Sequence, residues 1–564
     1  MEQQKSPLST RIIIAGVLCA VLMVAVNTYM GLKTGFAEPG SILAAIICFV
    51  VLRAMGHRIS IHENNIGQTI ASAGGSIGNM VNVIPALIML GHPLTIPQVL
   101  LWTLSVSLLG LYFAVPFREQ LVVREKIPFP SGTICAKVLR SLQSDSRQSA
   151  VQVRVMALFA AVAAVLVWFR EGIWKVIPRF VFSPGKLSSV SLGDFGFGLA
   201  LYPLLLGAGA IVGLRVGLGL MAGAIIFWLV LPLSAELLAI PALAAPATAE
   251  EWIRWPGVAL MVASSLAAAL VQFKLLKDVF RTGRNVSSDT AKMGPLSFRA
   301  WLTGLLLLSA AVVCLLWYIL QVPPWLGLLS VVGSFILCAV SVRIFGETDL
   351  NLAGPVAHVT QLLVAPLMPG AAAATVGVAG ATEGSISVAG DLMQDLKTGH
   401  LVKTSPRSQF FAQIIGVVAG CLAIVPVFFL LKNAYGLGNE ILPAPAAKTF
   451  KTLAEGLSGG EHALPAGSGP AVLVAASLGL LLFVLSRTRL ARFVPSTVGL
   501  GVAALIPPAY SFSIGLGAIA GTVFKRLMKR EDRDELIMLA GGGLIAGEAV
   551  TGVLCAILGI FGFA

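Results

Sequence analysis

The residues that invite a chemical reading are carboxylates and amides set inside apolar stretches. Residues 61 to 91, IHENNIGQTIASAGGSIGNMVNVIPALIMLG, open with Glu63, Asn64 and Asn65 and carry Gln68, Thr69, Ser72, Ser76, Asn79 and Asn82 into a run long enough to cross a bilayer. A second stretch, GETDLNLAGPVAHVTQLLVAP, holds Glu347, Asp349, Asn351 and Gln361. A third, ATEGSISVAGDLMQDLKTGHLVKTSPRSQFFAQIIG, holds Glu383, Asp391, Gln394, Asp395, Lys397, Gln409 and Gln413. NTYMGLKTGF adds Asn27, Tyr29 and Lys33, and IPFPSGT adds Ser131. An ionisable side chain at the centre of a membrane helix costs roughly 2.5–3.5 kcal/mol on insertion scales. Such groups line a solute pathway or pair with one another. Amides add donors and acceptors without charge, which suits a hydrated cavity. The chemistry implied is the binding and passage of a polar solute and of protons. The plainer alternatives are that Glu63, Glu347 and Asp349 cap helix starts, and that the amides make interhelical hydrogen bonds worth about 0.6 kcal/mol each.

Signatures of bond-making are missing. There is no Walker motif, no HExxH and no GxSxG. The six histidines never pair at ligand spacing, so neither a fixed metal site nor a resident cofactor is expected. The seven cysteines are scattered without a CxxC and read as small core residues.

These polar segments sit in a chain of 564 residues that is 57% hydrophobic and 12% charged, with a mean hydropathy of +0.90. Continuous apolar runs, rather than alternation, predict an all-α polytopic membrane protein. Apolar windows fall near 12–32, 40–56, 66–90, 97–117, 151–169, 195–213, 215–235, 256–277, 299–320, 325–345, 352–368, 370–392, 407–431, 470–486, 493–510, 512–528 and 538–562, for about sixteen transmembrane helices. The first window is full length and is expected to be retained as a helix. Prolines and glycines in 124–142 and 346–400 predict broken or re-entrant helices there. FPSGT reads as a break opening a short amphipathic helix with Lys137 and Arg140 on its basic face. Its free N–H groups would suit an anion, and a simple surface cap remains the alternative.

The formal charge of +13 is best read as orientation, not as nucleic-acid binding. Basic residues crowd 118–154, 274–299, 487–492 and 525–533, and the connections 92–96, 237–251, 321–324 and 435–469 are poor in them, which places the N-terminus in the cytoplasm. The Pro- and Gly-rich 435–469 connection is expected outside. GLGLMAGAII (217–226) resembles GLGAIAGTVF (515–524), and RISIHENN (58–65) resembles RIFGETDLN (343–351). Two matches in the same order suggest a two-fold internal repeat, with halves at 1–320 and 321–564 of one integral membrane domain.

NTYMGLKTG, ENNIGQTIASAG, IPFPSGT, GETDLN and above all MQDLKTGHLVKTSPRSQFFAQIIG resemble the oligopeptide transporter family, and within it the yellow-stripe-like, metal-chelate branch. The resemblance runs over roughly residues 11 to 560. It implies an all-helical secondary carrier of the cytoplasmic (inner) membrane, importing small peptides or amino-carboxylate metal chelates by proton-coupled symport. Partners would be the solute, protons and the lipid bilayer, with homo-oligomerisation open. One departure is that many members carry Asn-Pro after the TD motif, where this chain reads TDLNLAG with Pro355 four residues on.

The expectation is therefore a transporter and not an enzyme. Glu63, Asn64, Asn65 and Gln68 would face Glu347, Asp349 and Asn351, with 377–413 between them. Glu383, deepest in its apolar surroundings, would carry the coupling proton. The rivals are a lipid-linked intramembrane transferase and a passive channel.

Overall fold

A bilayer leaves a backbone one inexpensive solution, because every N–H and C=O must be satisfied within the segment itself. The chain takes it. The computed structural model describes residues 8–35, 40–56, 59–143, 147–172, 174–181, 185–187, 190–235, 237–283, 295–348, 353–458, 464–528 and 533–560. In chain order the helices are α1 (Thr10–Thr34), α2 (Ser41–Ala54), α3 (Ile61–Ile77), α4 (Val83–Met89), α5 (Ile96–Ala114), α6 (Pro130–Gln143), α7 (Arg147–Glu171), α8 (Pro203–Val212), α9 (Leu214–Ile225), α10 (Leu231–Leu233) and α11 (Pro246–Gly283). They continue with α12 (Phe298–Leu320), α13 (Pro324–Thr348), α14 (Ala353–Val364), α15 (Ala372–Val402), α16 (Pro406–Tyr435), α17 (Pro445–Ser458), α18 (Ser468–Leu485), α19 (Thr497–Ala503), α20 (Pro508–Leu527) and α21 (Arg533–Ile560). Sheet is confined to two-residue ribbons: β1 (Phe180–Val181) pairs antiparallel with β4 (Leu199–Ala200), and β2 (Lys186–Leu187) with β3 (Val190–Ser191).

This is an all-α polytopic membrane protein with interrupted helices. Among the described residues nine helical stretches are long and apolar enough to cross a bilayer unaided. Other expected spans are built from shorter pieces. The 66–90 window is α3, a 3₁₀ turn at Gly78–Asn82 and α4. The 195–213 window yields only α8, because its first residues enter β4. The break expected in 124–142 is present: Lys126 and Phe129 take left-handed φ values of 53° and 43°, and Phe129 N–H donates to the Gly346 carbonyl at 2.7 Å before Pro130 opens α6. In 346–400 the outcome is mixed. A 3₁₀ turn at Ala365–Leu367 and Gly370 (φ 80°) separate α14 from α15, whereas the glycine-rich 377–390 stretch is not unwound but lies inside one continuous helix of 31 residues. Its glycines serve packing instead. Added Cβ atoms at Gly380 and Gly384 would meet Val83 and Met80 side-chain atoms at 2.6 and 2.1 Å.

The chain divides into two compact units. The first comprises 1–28, 37–153 and 269–429, and the second 29–36, 154–268 and 430–564. Both draw segments from either side of residue 320. In the first unit α15 is the central helix, with α3, α5, α6, α12, α13 and α14 packed around it. Residues Ala373 to Gly399 of α15 are buried throughout, which is why a helix too charged to face lipid is tolerated here. The lipid-compatible exterior falls to helices such as α12, with Leu306, Leu307 and Val332 of α13 exposed. Trp317, Tyr318 and Trp325 stand exposed at the α12–α13 junction, the amphipathic aromatics favoured at a membrane interface.

In the second unit α8 packs on α20 and α21, and α9 on α19 and α20. Phe227, Trp228, Leu243, Trp252 and Ile253 form an apolar core beside them. The described part of the 435–469 connection contains a helix. Pro445 starts α17, whose Phe450 and Ala454 are buried.

Candidate functional site

Polar side chains gather at one place in the first unit. α15 presents Asp391 and Asp395 one turn apart on one face, and α3 presents Gln68 and Ser72 at the same spacing. Gln68 Nε2 donates to Asp395 Oδ1 at 2.7 Å. Ser72 Oγ lies 2.8 Å from Asp395 Oδ2 and 3.2 Å from Asp391 Oδ2. From α16, Gln413 Nε2 donates to Asp395 Oδ2 at 2.7 Å and reaches Asp391 Oδ2 at 3.4 Å. Ser41 of α2 approaches Asp395 Oδ1 at 3.4 Å. Gln409 Nε2 bonds the Asp395 carbonyl at 2.6 Å and Asn65 Oδ1 at 3.3 Å, and Asn65 in turn donates to Gln68 Oε1 at 3.1 Å. Asn64, one turn before Gln68, is fully buried, and neither end of its amide has a partner among the described residues.

Two turns before Asp391, Glu383 is buried against α14 and the 3₁₀ turn. Asn82 Nδ2 donates to its Oε1 at 2.7 Å, and its Oε2 has no partner among the described residues. At the other end, Lys397 gives its ammonium to the Ile127 carbonyl at 2.7 Å. Gln361 and Gln394 are fully buried on α14 and α15, and Ser131 is buried in the first turn of α6, whose Gly132 lies against the Gln394 carbonyl.

Of the expected facing of Glu63, Asn64, Asn65 and Gln68 with Glu347, Asp349 and Asn351, the described residues show the following. Glu63 and Ser60 make a capping box at the start of α3. Glu347 is half exposed and pairs with Arg343 at 3.1 Å. Asp349 and Asn351 lie outside the described residues. Asn27 ties α1 to α3, donating to the Gly75 carbonyl at 2.9 Å. No group of three or more His, Cys, Asp or Glu suited to a metal ion occurs among the described residues.

Tyr29 and Lys33 belong to the second unit and to a different cluster. Lys33 Nζ donates to Tyr29 Oη at 2.9 Å and sits 3.4 Å from Glu548 Oε1. Arg170 Nη2 meets the same oxygen at 3.0 Å, and Leu204 N–H, in the first turn of α8, donates to Glu548 Oε2 at 2.8 Å. Arg170 Nε also bonds Glu171 at 3.1 Å, and Glu171 holds Arg179 at 2.6 Å. The Lys33 ammonium and the Arg170 guanidinium both lie on the Tyr202 ring, 3.3 and 3.9 Å from its centroid, a cation–π arrangement strengthened by burial. Three cations thus face two carboxylates. Sequence reasoning missed Arg170, Glu171 and Tyr202, because charges at the end of a span look interfacial. The signal for the cluster was Glu548, a carboxylate in the middle of α21.

A buried carboxylate–amide centre in the first unit and a buried cation-rich centre in the second each offer donors and acceptors of the kind a polar solute needs. Residues 7–559 match the family described as OPT oligopeptide transporter protein. The chain belongs to that family. Among its relatives, "Probable metal-nicotianamine transporter YSL17" of Oryza sativa is 25% identical, the match covering 95% of this chain and 87% of the relative. "Putative oligopeptide transporter" of Haemophilus influenzae is 25% identical over 94% and 92%. "Metal-nicotianamine transporter YSL2" of Arabidopsis thaliana is 24% identical over 97% and 92%. Membership of the OPT family makes the chain a multi-pass membrane transporter and not an enzyme.

Proposed function

We propose that the protein is a proton-coupled symporter of the cytoplasmic membrane, carrying small peptides or amino-carboxylate metal chelates. The observation that carries this reading is α15, a fully surrounded helix whose buried face holds Glu383, Asp391 and Asp395 with a shell of amides. A peptide or an amino-carboxylate chelate presents amines and carboxylates together. Carboxylates and amide oxygens match the first, and cations and amide N–H groups match the second. The names of the OPT relatives support both solute classes.

Glu383 is the carboxylate assigned to coupling. Its unpartnered oxygen and its burial fit a group that is neutral in one state and exchanges its proton in another. The division into repeat halves, 1–320 and 321–564, belongs to the same reading, since carriers commonly place their sites where repeats meet. In its support, the matching segments 217–226 and 515–524 pack on each other: a Cβ at Gly217 would lie 2.5 Å from Ala518 Cβ, and one at Gly515 would lie 3.3 Å from the Gly217 carbonyl.

Thermal denaturation of the purified protein tests the solute class. A metal–nicotianamine complex, nicotianamine alone, the metal ion alone and a tripeptide are compared. A ligand at one hundred times its Kd adds about 2.7 kcal/mol of stability. The chelate or the tripeptide should raise Tm and the metal ion alone should not. No shift with either organic ligand, or a shift with the metal ion alone, would overturn the assignment.

A further inference from the structure

We infer that Asp391, Ser72 and Asp395 form a proton site separate from Glu383, in which two carboxylates hold one proton between them and the Ser72 hydroxyl passes it. The argument is one of hydrogen-bond stoichiometry. Ser72 Oγ is within bonding distance of Oδ2 on both aspartates, at 3.2 and 2.8 Å. A hydroxyl has one hydrogen to donate. With both aspartates ionised, one contact would set a lone pair against a buried anion. With one aspartate protonated, both contacts become hydrogen bonds: one carboxyl donates to Ser72 Oγ, and Ser72 O–H donates to the other carboxylate.

The donors say which aspartate is ionised. Asp395 receives the Gln68 and Gln413 amides at 2.7 Å each, Ser72 at 2.8 Å and Ser41 at 3.4 Å. Among the described residues Asp391 receives only Ser72 and Gln413, the donors it shares, at 3.2–3.4 Å. Asp395 is therefore solvated as an anion by four side chains, and Asp391 holds the proton. Transfer moves the Asp391 proton to Ser72 Oγ and the Ser72 proton to Asp395 Oδ2: two O–H bonds break, two form, and the net result is one proton passed from Asp391 to Asp395.

Among the described residues no cation competes for this role. Lys397, on the same helix, is bonded to the Ile127 carbonyl. Arg140 of α6 is bonded to the Leu401 carbonyl. Arg343 of α13 is paired with Glu125 and Glu347. Arg407 of α16 lies over the Phe411 ring, and Arg53 is exposed at the far end of α2. Other titratable groups on the surrounding helices include Cys48 of α2, Cys135 of α6 and Cys421 of α16, all buried, His358 of α14, buried, Lys137 of α6 and His400 of α15, both exposed, and His62 and Glu63 at the start of α3, bonded to Thr404 and Ser60. The paired charge must be offset by a proton.

Infrared spectra of the purified full-length protein in nanodiscs, recorded in alkaline and in acid buffer and differenced between unlabelled and carbon-13-aspartate-labelled protein, read this site without any substrate. The expected result is a label-sensitive carboxylic-acid C=O band already present in alkaline buffer. D391N should abolish it and E383Q should leave it in place. S72A, which removes its acceptor, should shift it, and S72T should restore it. A label-sensitive band that survives D391N, or that S72A leaves unmoved, would overturn the inference. Loss of pH-driven uptake with the band behaving as expected would sink the coupling proposal and leave this site standing.

Discussion

At the scale of residues, the two clusters differ in what they ask of a partner. Glu548 is fully buried between Lys33 and Arg170. Removing one member of a buried ion network leaves an uncompensated charge, at about 3–5 kcal/mol. E548Q should therefore lower Tm by many degrees in purified protein, and an unchanged melt would show that the network is slack. Much of the carboxylate site was legible in sequence, because Gln68, Asp391, Asp395 and Gln413 are conspicuous in apolar runs. Ser72 was named among the polar residues of its span but not singled out, since a serine in a small-residue helix is ordinary until its two acceptors are seen. Glu63 also fits the plainer reading of a helix cap, since it forms a capping box with Ser60 at the start of α3.

At the scale of elements, α15 is the piece on which the account turns, and its small residues let neighbours come close. A Cβ at Gly110 of α5 would lie 2.3 Å from the Ser385 carbonyl, whereas one at Gly333 of α13 would meet nothing within 4 Å. G110A should therefore destabilise by about 1–3 kcal/mol through overpacking, while G333A should be neutral or stabilise by up to about 1 kcal/mol through helix propensity. Melts of the two variants side by side decide it, and equal Tm values would mean that the close approach carries no strain. Composition alone could not tell this use of glycine from an unwound stretch, because both need a residue without a side chain. Breaks set by proline and left-handed backbone, as at Phe129 and Pro130, were readable because they depend on local geometry.

At the scale of the whole molecule, fold class followed from hydropathy, while the helix inventory did not, because windows such as 66–90 and 493–510 are split, by turns at Gly78 and just before Pro508. Orientation is still an expectation from charge. A cysteine placed at Ser458, beside the poorly basic connection, should react with an impermeant reagent in intact cells, and one placed at Thr488, among basic residues, should not. The reverse pattern would invert the topology.

The most direct test of a proton-coupled carrier is solute accumulation in proteoliposomes under an imposed pH gradient. The account predicts that the wild-type protein concentrates its chelate or peptide above the external level when the gradient is present, and only equilibrates it when a protonophore collapses the gradient. E383Q should lose accumulation yet keep exchange of labelled for unlabelled solute, because the amide is isosteric with the protonated acid. Equal steady-state levels with and without the gradient in wild type, or full accumulation by E383Q, would contradict it.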